Sequence, residues 1–285
     1  NDICWHPELP ELSVAGSDST VTQWAFERGQ STPCMDAGGQ NESSLHHKNT
    51  LSGHRRRVFS IAYSLSGALL ASAGEDRTVR LWRRNELQSA KTIHHPGRVF
   101  CLAFSTSGGT EYLASGCEDG AVRIFDKQGK LIEMFRGHRG QINALVWNTG
   151  AECHWDIASA GADGTVRLWN LSKESGERQS PYLAPRVVLT AGGAKIWSLA
   201  SVPDETLIIG GTERGEVVLW STSESVPLGT FRGDDEPVWS VSVGPDGDQL
   251  WSGGWDGVVR RWDIRRTQAC THENAYVFTN DSGIN

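Results

Sequence analysis

Histidine, serine and aspartate return together along this chain. His54, Ser72 and Asp76 form one set, His138, Ser159 and Asp163 a second, and His95, Ser115 and Asp119 a third. These residue types are those of nucleophilic hydrolysis: a hydroxyl to attack, an imidazole to take its proton, a carboxylate to orient the imidazole. A reacting triad is needed once, whereas these sets recur with the sequence around them. Trp82 follows the first, Trp169 the second and Phe125 the third. A set copied along with its surroundings belongs to a structural unit. No carboxylate pair or nucleophile stands apart from the repeat, so the chain is expected not to be an enzyme.

The tryptophans set the period. Trp24, Trp82, Trp169, Trp220 and Trp262 each close a similar phrase, with Phe125 standing in once, at intervals of roughly 40 to 45 residues where no insertion intervenes. Within a unit the apolar residues alternate, as in Val79 and Leu81 or Val166 and Leu168, in short runs bounded by Gly, Asp and Ser. That pattern predicts several short strands per unit. Six units can be read from their inner strands, near residues 2–26, 58–84, 99–126, 142–170, 196–221 and 238–264.

Gly53-His54, the strand at 58–63, the phrase at 70–76 and the strand at 78–82 together resemble the WD40 repeat family, over roughly residues 1–275. The resemblance implies an all-β fold, a WD40 β-propeller with six recognisable repeats and an incomplete seventh. Residues 271–278 match the start of that seventh unit, while Asn1 already lies in an inner strand without its Gly-His. A propeller must close its ring, because an open wedge leaves blade faces and strand edges bare to water. These ends therefore predict a fragment of a longer, seven-bladed chain, with six blades as the alternative.

The family pattern also implies that His, Ser, Asp and Trp form a hydrogen-bonded chain inside each blade. His54, Ser72, Asp76 and Trp82 make one such tetrad, and His138, Ser159, Asp163 and Trp169 a second; these are scaffold, not chemistry. The fifth unit has Gly192, Gly210 and Arg214 at the His, Ser and Asp positions. The sixth replaces its His by Asp234 but keeps Ser252, Asp256 and Trp262, and the first has Val14, Asp18 and Trp24. These units should be the softer ones, blade five first.

Alternation along the inner strands sends Phe59, Phe100, Asn143, Trp197 and Trp239 toward the entrance of the central channel if Val58, Val99, Ile142, Ile196 and Val238 point between blades. By the same resemblance, the residues just before the turn Asp share that face: Ser17, Glu75, Glu118, Ala162, Glu213 and Trp255. Aromatic rings alternating with carboxylates suit a cation, so an Arg- or Lys-bearing peptide is the implied ligand. Arg57, Arg98 and Lys195, two residues before the aromatic set, could neutralise the glutamates instead.

The repeat crosses every plausible boundary, so residues 1–285 are read as one domain, with a flexible inter-blade linker at about 27–48 rich in Gly, Ser, Asn and Gln. A net charge of -7 argues against nucleic acid as the main partner. The clusters Arg55-Arg56-Arg57, Arg83-Arg84, Arg260-Arg261 and Arg265-Arg266 are read as a solvated rim. The 6 Cys form no C-x-x-C pair, which favours a reducing compartment. Sequons at Asn41, Asn170 and Asn280 lack a signal peptide to bring them into the secretory route, and no window approaches a membrane-spanning length. No metal or cofactor constellation stands out, and no small-molecule substrate is implied. The expectation is a non-catalytic, intracellular (cytoplasmic or nuclear) scaffold that grips other proteins within a stable complex on its channel-entrance face. A sensor or autoinhibitory module of a larger enzyme or ATPase is the alternative.

Overall fold

The computed structural model describes residues 2–27, 44–105, 111–148, 155–171, 184–202, 206–233 and 236–264. Blade one consists of β1 (Asp2–Trp5), β2 (Glu11–Ala15), β3 (Thr20–Glu27) and β4 (Ser44–Ser52), paired antiparallel in sequence order. Blade two repeats this with β5 (Val58–Tyr63), β6 (Leu69–Gly74), β7 (Thr78–Arg83) and β8 (Lys91–His94). Blade three holds β9 (Val99–Phe104), β10 (Tyr112–Cys117), β11 (Ala121–Asp126) and β12 (Leu131–Arg136). Blade four holds β13 (Ile142–Trp147), β14 (Ile157–Gly161), β15 (Thr165–Trp169) and β16 (Val187–Thr190). Blade five holds β17 (Ile196–Ser201), β18 (Leu207–Thr212), β19 (Glu216–Ser221) and β20 (Val226–Arg232). Blade six has three strands among the described residues, β21 (Val238–Val243), β22 (Gln249–Gly254) and β23 (Val259–Asp263). The described residues form an all-β, six-bladed propeller arrangement, one blade for each of the six recognisable repeats; residues 271–278, assigned to the seventh unit, lie outside the described residues.

The inter-blade linker at about 27–48 needs correcting in its place and at its end: it joins β3 to β4 within blade one. Ser44 to Lys48 belong to β4, which pairs with β3 from Ser44↔Glu27 onward. The polar composition that suggested a loop is that of an outer strand whose first five residues, Ser44 to Lys48, are all exposed to water, where polar side chains cost little. Residues 28–43 lie outside the described residues.

Each blade turns from its second to its third strand through one left-handed residue. Gly120, Gly164, Gly215 and Gly257 occupy it at φ 71 to 76°, where a side chain would be strained, while Ser19 and Arg77 adopt it at φ 72° and 62°. The turn Asp just before it stabilises the bend by accepting from the backbone N–H two residues on, as Asp76 does from Thr78 and Asp163 from Thr165.

Blades adhere through apolar faces. The inner strands β1, β5, β9, β13, β17 and β21 lie side by side in that order. On each blade the face toward the next presents small and branched residues: Ala71, Val79 and Leu81 of blade two pack on Val99, Leu102 and Leu113 of blade three. Ile209, Val217 and Leu219 of blade five likewise pack on Val241, Leu250 and Trp262 of blade six. Each such side chain contributes about 1.5–3 kcal/mol when wholly buried. Five interfaces of this kind are built. The equivalent face of blade six carries Trp251, 40% exposed, and Val259, 60% exposed; blade one's opposite face carries Ile3 at 63% and Trp5 at 56%. Among the described residues β21 and β1 make no contact comparable to those between the other inner strands.

Candidate functional site

The His, Ser and Asp sets are brought together, and buried. In blade two Asp76 can only accept, so His54 carries its proton on Nδ1 and donates to Asp76 Oδ2 at 2.9 Å. His54 Nε2 then accepts from Ser72 Oγ at 2.7 Å, and Ser72 Oγ accepts from Trp82 Nε1 at 2.8 Å. Blade four repeats the chain: His138 Nδ1 to Asp163 at 3.0 Å, Ser159 to His138 Nε2 at 2.8 Å and Trp169 to Ser159 at 2.8 Å. Burial alone would raise the Asp76 and Asp163 carboxyls. Donation from each histidine and from the N–H of Arg55 or Arg139 outweighs it and holds both well below the usual carboxylate range. Ser72 and Ser159 have no exposed surface and are closed off by tryptophan, so neither hydroxyl can meet a substrate.

Blade three departs from the expected set. His95 Nε2 pairs with Ser115 Oγ at 2.9 Å, but Asp119 turns away to the Arg123 guanidinium. His95 Nδ1 is left buried without a hydrogen bond of normal geometry. Burial, reinforced by the Arg123 charge, pushes the His95 imidazole down to about 4. Phe125, lacking an N–H, leaves Ser115 with one partner where Ser72 has two.

The units without tetrads use other wiring. In blade five Trp220 Nε1 donates to the Thr190 carbonyl at 3.1 Å. A Cβ at Gly210 would meet the Trp220 ring at 2.9 Å, so the indole occupies the room that a serine would need. Blade six keeps Trp262 Nε1 to Ser252 Oγ at 2.8 Å, and Arg260 pairs with Asp256 at 2.6 Å; Asp234 lies outside the described residues. Blade one borrows from its neighbour: Ser13 Oγ meets the Tyr63 hydroxyl at 2.7 Å, and Gln23 Nε2 donates to it at 3.2 Å.

The residues expected at the channel entrance share a feature that simple alternation did not anticipate. Phe59, Phe100, Asn143, Trp197 and Trp239 are each skipped in the pairing of the first and second strands, because a β-bulge falls at that point in blades two to six. A bulged residue opposes nothing on the partner strand and is re-aimed out of the ladder. The rings then meet across blades. Phe59 and Phe100 stack with centroids 5.2 Å apart and planes 15° from parallel. Trp197 lies 4.6 Å from Trp239, which lies 5.9 Å from Trp255. Trp239 is 42% and Trp255 70% exposed, so this three-ring ladder reaches solvent. Asn143 is committed internally, donating to the Ile196 carbonyl and accepting from Gln141, both at 2.8 Å.

The glutamates of this face are engaged by their own neighbours. Glu75 Oε1 sits 3.7 Å from Arg56 and 3.8 Å from Arg98. Glu118 accepts from the Arg98 N–H at 3.1 Å. Glu213 accepts from the Lys195 N–H and pairs with its ammonium at 3.0 Å. Arg57 contributes its backbone carbonyl, which accepts from the Glu75 N–H. Sequence reading grouped Arg55 and Arg56 with the rim and did not single out Arg139; the structure sets all three in the loops that lead into β5 and β13, next to the residues expected at the entrance. Among the described residues no group of His, Cys, Asp and Glu could hold a metal ion, and no helix is long and apolar enough to cross a membrane.

Comparison with known proteins agrees with the blades. The family model described as WD domain, G-beta repeat matches residues 46–83, 87–126, 129–170 and 225–263. Blades one and five, which lack the tetrad residues, fall almost wholly outside those segments. The chain is 23% identical over 296 residues to the nuclear distribution protein PAC1 of Arthroderma benhamiae, covering 95% of this chain and 60% of that protein. It is 28% identical over 265 residues to a guanine nucleotide-binding protein subunit beta of Arabidopsis thaliana, covering 87% and 65%. Over 131 residues it is 34% identical to the tRNA (34-2'-O)-methyltransferase regulator WDR6 of Mus musculus, covering 43% and 11%. The chain thus spans less than two thirds of the length of each of these relatives. With more than half of its residues matched by the repeat model and six blades built as that repeat requires, the chain belongs to the WD40 repeat family.

Proposed function

We propose that this propeller is a non-catalytic, intracellular protein-interaction scaffold whose partners, within a stable complex, seat loops or peptides on the channel-entrance face. The observation that carries the reading is the ladder of Trp197, Trp239 and Trp255, which holds two large rings at 42% and 70% exposure on one face. Clusters of exposed tryptophan are where binding energy concentrates in protein interfaces, because a rigid ring buries much area at little entropic cost. The burial of the Ser and His of each set supports a non-catalytic role. The names of two relatives, a subunit and a regulator, fit a part that acts through other proteins. An Arg or Lys of the partner would have to displace Arg98 and Lys195 from Glu75 and Glu213, which favours a partner segment without a surplus of positive charge.

The test is affinity capture from native extract with the wild type beside Phe100→Ala combined with Trp239→Ala, followed by mass spectrometry and circular dichroism. Loss of a partner with the fold intact is the expected result. Unchanged partners would return these rings to simple packing. A second reading, a sensor or autoinhibitory module of a larger protein, draws on the small share of the mouse relative that the chain covers. Activity of the longer protein with and without this propeller tests it.

A further inference from the structure

The entrance face is divided by charge. Arg55, Arg56, Arg57, Arg98 and Arg139 stand exposed in the loops leading into β5, β9 and β13. Two carboxylates lie among them, and both are used: Glu75 by Arg56 and Arg98 together, Glu118 by a backbone N–H. The nearby aspartates are committed elsewhere, Asp76 and Asp163 to histidines and Asp119 to Arg123. Among the described residues no carboxylate is within ion-pair distance of the Arg55, Arg57 or Arg139 guanidinium. Asp76 and Asp163 keep their negative charge beside those histidines, so on a chain of net charge -7 blades two to four carry only a slight positive excess here; what they offer is three exposed guanidinium groups without an ion-pair partner among the described residues. Blades five and six follow around the ring with Lys195 already paired to Glu213 and the exposed ladder of Trp239 and Trp255.

We propose that the entrance face takes an acidic peptide segment of a partner protein, its carboxylates on the arginine loops of blades two to four and an apolar side chain on the tryptophan ladder of blades five and six. The proposal rests on the scaffold reading above and names the partner's chemistry. Guanidinium forks match carboxylates in bidentate fashion, and three of the five have no internal partner to give up. Unpaired guanidinium groups draw an acidic segment to this sector in preference to a basic one. Single-stranded nucleic acid fits less well. It needs rings standing free between cations for bases to stack on, whereas Phe59 and Phe100 are closed on each other at 5.2 Å and the free tryptophans lie outside the basic sector.

Fluorescence anisotropy on the whole chain tests this with three labelled probes: a short peptide alternating Glu and Leu, the same peptide with Lys for Glu, and an oligothymidylate of equal charge. Saturable binding of the Glu peptide alone is expected, weakening as salt rises from about 50 to about 200 mM. Arg55→Glu, Arg57→Glu and Arg139→Glu combined should cost roughly tenfold or more in affinity. Trp255→Ala should also weaken binding, while Arg83→Glu with Arg84→Glu, at the end of β7 and just beyond it, should leave it unchanged, each variant being checked by circular dichroism. The proposal falls if the Glu peptide does not bind, if the triple reversal leaves its affinity within about twofold, or if oligothymidylate is the preferred ligand. Binding of the Lys peptide that is lost in Trp255→Ala would sink the acidic partner but keep the entrance face as the docking surface. Peptide binding indifferent to both the arginines and Trp255 would sink both.

Discussion

Ser72→Ala deletes one hydroxyl that serves two buried groups. Ser72 Oγ accepts from Trp82 Nε1 at 2.8 Å and donates to His54 Nε2 at 2.7 Å. Ser72 and Trp82 are 0% and 1% exposed, so water does not replace the lost partner. Each orphaned group costs about 1–3 kcal/mol, which puts the substitution at about 2–6 kcal/mol. Ser115→Ala in blade three orphans only His95 Nε2, because Phe125 offers no N–H, and should cost about half as much. Urea unfolding followed by tryptophan fluorescence measures both, and melting should shift by about 2–4 °C per kcal/mol in a chain of this size. Trp82→Phe copies blade three, where a Phe already fills the slot at 3% exposure. In that background Ser72→Ala should fall to the Ser115→Ala value, the remainder being the coupling between Ser72 and Trp82. Equal costs at Ser72 and Ser115, or additivity of Ser72→Ala with Trp82→Phe, would refute the two-partner account.

Acid should find blade three before the tetrad blades. His95 takes its proton near 6.5 when unfolded but only near 4 when folded, so the unfolded state binds more protons between those values. Stability is therefore lost as pH falls from about 6.5 to 4, by about 3 kcal/mol at 1.36 kcal/mol per pH unit. Asp76 and Asp163, held low, contribute above their ordinary value of 3.8 and lose that contribution only below it. Urea titrations at several pH values should show a steeper loss in wild type than in His95→Gln, and parallel curves would count against the assignment. Hydrogen exchange should open β23 before β15, since Val259 is 60% exposed where its counterpart Val166 is wholly buried. Equal protection of the two strands would mean that the bare face of blade six is of no consequence.

The softness expected of blade five shows where local pattern stops being informative. Gly192, Gly210 and Arg214 erase the tetrad, but Trp220 finds the Thr190 carbonyl at the end of β16 in blade four, and Ile208, Ile209 and Trp220 are fully buried. A missing motif residue removes one partner from a list of one letter per position; only the packed blade shows the substitute.

What the sequence determined by itself is whatever is local and copied. The period-two alternation, the turn Asp with its left-handed successor and the return of His, Ser and Trp in register each depend on residues within one blade, and so blades, boundaries and both tetrads were legible from the repeat. The tertiary structure decided whatever depends on a second strand or a second blade. The bulges at Phe59, Phe100, Asn143, Trp197 and Trp239, which take these residues out of the ladder, exist only in the pairing with the neighbouring strand. Asp119 chose Arg123 over His95, and Glu75 was claimed by Arg98 from the next blade. Trp251 and Val259 occupy the same positions as buried residues in every other interface and differ in having no blade against them among the described residues. Burial, charge pairing and the direction of a bulged side chain are set by what lies across a gap in space, and a linear pattern carries no record of that neighbour.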